Sequence, residues 1–157
     1  SLCLVPLAPP AAGAAGRRSP STAGACLVVM VASAHDISHL FVYGTLRPGE
    51  VRWHHLEPFV VGEAVDTSVA GQLYDTGLSY PAAVFGGPGR IVGRVYPLVP
   101  ERLDAALAHL DEVEGAVRGG YTRVAVTTDS GHAAWAYQCG DGALLVRRIE
   151  CGDWLQR

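Results

Sequence analysis

Pro100-Glu-Arg-Leu-Asp-Ala-Ala-Leu-Ala-His-Leu-Asp-Glu-Val-Glu-Gly115 is the stretch around which this chain organises itself. It reads as one amphipathic helix over 101–114, with Pro100 placed to start it and Gly115 in the position that ends it. At about 100° per residue, Leu103, Leu107, Leu110 and Glu114 share one stripe, and Glu114 projects roughly 20° from Leu103. Glu112 projects to the opposite, solvated side. A carboxylate that faces a core must be neutral, paired or hydrogen-bonded, because burying its bare charge is expensive. Desolvation raises its pKa, and a raised carboxylate pKa suits proton transfer near neutral pH. Glu114 is therefore a candidate general acid/base. The alternative is a glutamate that passes beyond the last helical turn into solvent, an easy escape next to Gly115.

Outward from the helix the chain changes period. Strand-like runs occur near 39–44, 58–63, 68–74, 81–85, 90–97, 121–128 and 132–139, and a short helix is expected near 51–56. Many short strands with one main helix, without repeating βαβ units, predict the α+β class. Gly62, Gly71, Gly93 and the cluster Gly86-Gly87-Pro88-Gly89 supply bends or turns. Ile149 to Leu155 is expected to return to the sheet with Trp154 as an apolar plug, and Cys139 to be a small buried residue at a strand end.

His39-Leu-Phe-Val-Tyr-Gly-Thr-Leu-Arg-Pro-Gly49 is a short β-prone run that breaks at Gly44 and reaches a turn at Pro48-Gly49. A strand ending this way can aim several main-chain N–H groups in one direction, forming an anion-binding concavity. Without a side chain on Gly44, a ligand can approach the backbone closely. No Gly-Lys-Ser/Thr follows, and the glycines do not form G-x-G-x-x-G, so neither nucleotide-binding signature is present. His54-His55 lies just beyond and either lines a pocket or belongs to a surface helix.

The 157 residues carry a net charge of −3, with twelve arginines and no lysine, and no basic block that would recognise nucleic acid. The four cysteines (Cys3, Cys26, Cys139, Cys151) show no C-x-x-C, and the histidines show no H-E-x-x-H, so no metal site is indicated. No run is long enough for a membrane helix. Residues 1–37 are rich in Ala, Pro, Gly and Ser and read as a disordered or mis-assigned N-terminal extension, with translation expected to begin at Met30. Arg17-Arg18, the apolar stretch Ala23–Val31 and Ala32-Ser33-Ala34 imitate a signal peptide as the competing explanation. Residues 38–157 form the domain, and a cytoplasmic location is expected.

Several short strings, in this order, resemble the gamma-glutamyl cyclotransferase-like family, particularly the branch that includes gamma-glutamylamine cyclotransferase. They are Phe41-Val-Tyr-Gly-Thr-Leu46, Tyr80-Pro-Ala-Ala-Val84, Gly93-Arg-Val-Tyr96, Leu110-Asp-Glu-Val-Glu-Gly115, Gly120-Tyr-Thr-Arg-Val-Ala-Val126 and Gly152-Asp-Trp154. The resemblance implies a small mixed β-barrel with the main helix beside its mouth. It also implies an enzyme that cyclises a small γ-glutamyl compound to 5-oxoproline and expels an amine or amino acid. The substrate's own α-amine is the nucleophile, so no metal or cofactor is required. By the same resemblance Glu114 is the catalytic acid/base, and Tyr43, Gly44, Thr45 and Leu46 cradle the substrate. Tyr121 then hydrogen-bonds the glutamate or the substrate, or else is simply a strand aromatic. Arg123 pairs with a carboxylate or is solvated, and Asp111, to the side of the stripe, is expected to be structural. The segments Asp75–Pro88 and Ala116–Gly120 are expected to shape the entrance. A binding or regulatory module that keeps the pocket without the chemistry is the alternative to an enzyme.

Overall fold

The computed structural model describes residues 34–115 and 120–157. The expectations for residues 1–33, including the start at Met30 and the signal-peptide alternative, and for most of the 116–120 entrance loop lie outside the described residues. No helix among the described residues is long and apolar enough to cross a membrane.

The architecture is α+β: six strands in one curled, half-barrel sheet with two helices. The strands are β1 (His39–Val42), β2 (Val65–Asp75), β3 (Pro81–Pro97), β4 (Tyr121–Thr127), β5 (Ala133–Cys139) and β6 (Arg147–Arg148). Helix α1 spans Trp53–Leu56 and α2 spans Leu103–Val113. The sheet order is β4-β5-β1-β3-β2-β6. It is mixed because β1 runs antiparallel to β3, with Leu40 opposite Tyr96, but parallel to β5, with Leu40 beside Trp135.

Strict alternation gives the sheet two buried faces. Leu40 and Val42 of β1, Tyr96 of β3 and Tyr137 of β5 pack with Leu56, Phe59, Ala106, Leu107 and Leu110 on the helix side. Phe41, Tyr43, Ile91, Val95, Ala134 and Ala136 face the opposite way and enclose a second core with Leu73, Ile149 and Trp154. Trp154 is 2% exposed, so the chain's end does close this face as an apolar plug. A Cβ on Gly93 would collide with the Val42 carbonyl and the Phe41 ring.

Three local expectations require correction. Residues 58–63 are not a strand: Glu57–Phe59 forms a 3-10 turn, with Pro58 inside it, and only Val60 makes an isolated bridge to Leu98. The two runs 81–85 and 90–97 belong to one strand, β3. Its pairing with β2 jumps from Gly71–Phe85 to Ala70–Arg90, so residues 86–89 form a large bulge inside one strand and do not separate two. Gly86, Gly87 and Gly89 all have φ between 71° and 96°, backbone open chiefly to glycine, which is why the excursion fits inside a continuing strand. Cys139 is only half-buried, its thiol donating to the Asp141 carbonyl.

Helix α2 follows its sequence pattern closely. A 3-10 turn at Pro100–Arg102 leads into it, and Ala106, Leu107 and Leu110 are its buried face. The last helical bond is Glu114 N–H to Leu110 carbonyl at 2.9 Å. Gly115 then adopts φ 72° and donates to Glu112 at 3.2 Å, ending the helix with Glu114 in its final turn.

Candidate active site

Chain geometry puts Glu114 opposite the end of β1. After Val42 the strand stops, and residues 44–52 form a compact loop held by Arg47 N–H to Gly44 carbonyl (3.0 Å) and Arg52 N–H to Thr45 carbonyl (2.9 Å). The N–H groups of Gly44, Thr45 and Leu46 donate to no acceptor among the described residues. A cavity of about 370 Å³, mouth included, lies between this loop and the end of α2.

All six residues singled out from the sequence line that cavity: Tyr43, Gly44, Thr45, Leu46, Glu114 and Tyr121. Tyr121 does not bond to Glu114; its hydroxyl donates to the Pro81 carbonyl at 2.9 Å, so toward the cavity it has only acceptor capacity. Gly44 is small for a packing reason as well, because a Cβ there would lie 2.6 Å from Pro81 Cγ. Tyr43 is likewise committed, donating to the Tyr137 carbonyl at 2.5 Å. Burial, reinforced by the nearby Glu114 charge, holds both tyrosines above the ordinary phenol pKa, so both remain protonated donors.

Glu114 is the deep charge of the site, its side chain 10% exposed. Burial raises its pKa above the usual carboxylate range, and the positive charge of Arg52 partly offsets that rise. The Arg52 Nη1 to Glu114 Oε1 separation is 3.6 Å, an ion pair too long to be a hydrogen bond. Phe41, Val42, Arg52, Tyr80, Pro81 and Tyr137 complete the lining, and the sequence reading assigned none of them an individual role in the site. Tyr80 and Pro81 stood within the segment expected to shape the entrance. Arg52 had one available signal: a buried carboxylate demands a partner, and the nearby loop carries two arginines.

Asp111 lies behind the lining. It accepts from the Tyr137 hydroxyl at 2.8 Å and pairs with Arg123 at 3.5 Å, with the Arg123 guanidinium over the Trp135 ring. Tyr80 is presented by a turn in which Thr76 Oγ1 donates to the Tyr80 carbonyl at 2.7 Å and accepts from Leu78 N–H at 3.1 Å. His54 and His55 do not reach the cavity; His55 Nδ1 meets His109 Nε2 at 3.1 Å across α1 and α2. Among the described residues, no three His, Cys, Asp or Glu side chains converge to hold a metal ion.

A family profile described as gamma-glutamyl cyclotransferase, AIG2-like, matches residues 40–156. The chain belongs to this family. One cyclotransferase relative, from Vibrio cholerae and named provisionally as a gamma-glutamylcyclotransferase, is 38% identical over 122 residues, covering 77% of this chain and 99% of its own. A second, the gamma-L-glutamyl-butirosin B gamma-glutamyl cyclotransferase of Niallia circulans, is 31% identical over 126 residues, covering 75% and 76%. Among solved structures, an uncharacterised protein from Pyrococcus horikoshii superimposes with a TM-score of 0.58 at 28% identity, covering 75% of this chain and 90% of that one. A mouse AIG2-like protein shares the fold, with a TM-score of 0.51 at 19% identity over 73% and 86% of the two chains.

Proposed function

We propose that this protein is a gamma-glutamyl cyclotransferase, converting a small γ-glutamyl compound to 5-oxoproline and a free amine or amino acid. The observation that carries this is the meeting of a buried, high-pKa carboxylate at Glu114 with the unspent main-chain donors of Gly44–Leu46 in one small cavity. Family membership supports the same reaction class.

The chemistry needs few parts. Ionised Glu114 accepts a proton from the substrate α-ammonium, which frees the amine to attack the γ-carbonyl carbon. A C–N bond forms, and the carbonyl oxygen takes on negative charge beside the N–H groups of the loop. As the tetrahedral centre collapses, the bond to the leaving amine breaks, and Glu114 returns the proton to that nitrogen. No external nucleophile enters, and the balance is one C–N bond made, one broken and two protons carried by Glu114 from the attacking nitrogen, which starts as an ammonium and ends as a lactam N–H, to the leaving nitrogen, which departs as an ammonium. Holding the substrate folded, with its amine against its own carbonyl, supplies the proximity term. The raised pKa of Glu114 narrows the gap to an ammonium proton and helps the carboxyl act in both directions.

The test is direct measurement of 5-oxoproline from a panel of γ-glutamyl amino acids, γ-glutamyl amines and γ-glutamyl-ε-lysine. Turnover by the parent and its loss in Glu114→Gln, with the fold unchanged by circular dichroism, is the expected result. Equal 5-oxoproline formation by the variant would overturn the assignment of Glu114, and no turnover of any member would overturn the activity.

A further inference from the structure

Arg52 has more donors than Glu114 uses. Its single recorded polar partner among the described residues is Glu114, by one contact at 3.6 Å, and the rest of its fork makes no hydrogen bond there. It is the only cation lining the cavity, as Glu114 is the only carboxylate, among the described residues. The two are ordered by depth: Glu114 is 10% exposed and Arg52 34%, so the acid sits inward and the guanidinium at the rim. The Tyr80 ring lies 6.0 Å from the guanidinium carbon and limits where it can swing.

A cation and an anion held a few ångströms apart form the charge mirror of an α-amino-acid head group, whose ammonium and carboxylate are separated by a similar distance. We infer that Arg52 is a substrate-binding residue, taking the α-carboxylate of the glutamyl head while Glu114 takes its α-ammonium. This rests on the cyclotransferase reading of the site. Entry of the zwitterion exchanges one loose ion pair for two charge-assisted ones and adds no net charge to the cavity. Removing the substrate carboxylate leaves its ammonium facing Arg52 with nothing between, which is repulsive. The site therefore selects γ-glutamyl compounds with a free α-carboxylate. It rejects glutamyl groups whose α-carboxyl is already tied in an amide, including the N-terminal residues of peptides. The loop amides are left for the γ-carbonyl oxygen.

Two substrates and two variants separate this role from mere tuning of Glu114. γ-L-Glutamyl-L-alanine and its glutamyl α-carboxamide are compared in the parent, Arg52→Gln and Arg52→Lys, at a pH above the ionisation of Glu114, with the lactam product measured. The parent is expected to favour the free acid by on the order of 10- to 100-fold in kcat/KM, the worth of a charged hydrogen-bonded partner. Arg52→Gln is expected to erase that preference, losing kcat/KM on the free acid mainly through KM and gaining on the carboxamide as the repulsion is lifted, and Arg52→Lys to keep part of it. Equal loss on both substrates, or no loss on either, would overturn the inference. If the parent forms no lactam from either compound or from any member of the γ-glutamyl panel, the cyclisation reading falls. Calorimetric binding of the same pair then decides Arg52 by itself: a free-acid preference abolished in Arg52→Gln upholds the role, and its absence in the parent refutes it.

Discussion

Replacing Glu114 with Gln removes a proton carrier and a buried charge together, so two measurements are expected to move in opposite directions. Turnover should fall by roughly 10²- to 10⁴-fold, the usual worth of a positioned acid/base. Stability should rise at neutral and alkaline pH. A carboxyl whose folded pKa lies above its unfolded value is penalised wherever it is ionised in the folded state, and the penalty fades as pH falls through the folded pKa toward the unfolded one. Melting temperatures of the parent and E114Q should therefore differ most above the folded pKa and converge in acid. The same logic orders the pH–rate curve. Activity rises as Glu114 ionises, and Arg52→Gln should move that ascending limb to higher pH, because the guanidinium is what restrains the rise. A curve that stays put would show that Arg52 leaves the acid unaffected. Gly44→Ala drives a methyl into the Pro81 ring. About 1–3 kcal/mol of stability should be lost in urea titrations, with a distorted site loop as the accompanying effect.

Between elements, α1 is joined to α2 by the His55–His109 contact, with the His54 and His55 ring centroids 4.0 Å apart in a tilted pair and the Phe59 ring tilted against His109. That hydrogen bond requires one neutral ring as acceptor. Slight burial, then the neighbouring His54, His109 and Arg52 charges, lower the His55 pKa below its free value. A histidine with a lowered folded pKa supports the fold above its unfolded pKa and withdraws that support as pH falls through it toward the folded value. Melting temperature should thus drop as pH is lowered below about 6.5, and His109→Gln should flatten the slope; an unchanged slope would remove the clasp from the account. Elements were legible in the sequence where one face was continuously buried. The stripe Leu103, Leu107, Leu110, Glu114 survived into α2, and the alternation of β5 into its two faces. Residues 86–89 split β3 into two apparent runs because glycine and proline interrupt a strand pattern whether or not the strand continues past them, and only the pairing with β2 shows that it does. The 58–63 run misled because Phe59 and Val60 are buried from a 3-10 turn and a single bridge, without a ladder. In the site, the residues marked by local pattern were readable. Arg52, Tyr80 and Tyr137 were not, since their roles arise from contacts across the fold that no spacing records.

On the scale of the whole molecule, the chain's last residues brace the site. Asp153 pairs with Arg47 of the site loop at 3.2 Å while capping the final 3-10 turn through the Leu155 N–H at 3.0 Å. Both side chains are nearly buried, so Asp153→Ala strands a guanidinium and should cost about 3–5 kcal/mol, read as a lower denaturation midpoint. Gly152 lies so close to the Arg90 carbonyl that a side chain there would collide with it, which fixes the path of the returning chain. The central position of β1 has one more consequence. Its pocket-bearing end is locked only when β5 lies beside it in parallel and Tyr43 reaches the carbonyl of Tyr137, 94 residues onward. During synthesis the ribosome must therefore release the chain through residue 137 before the site can assemble, and nascent chains arrested short of it would lack a working pocket however well their helices had formed.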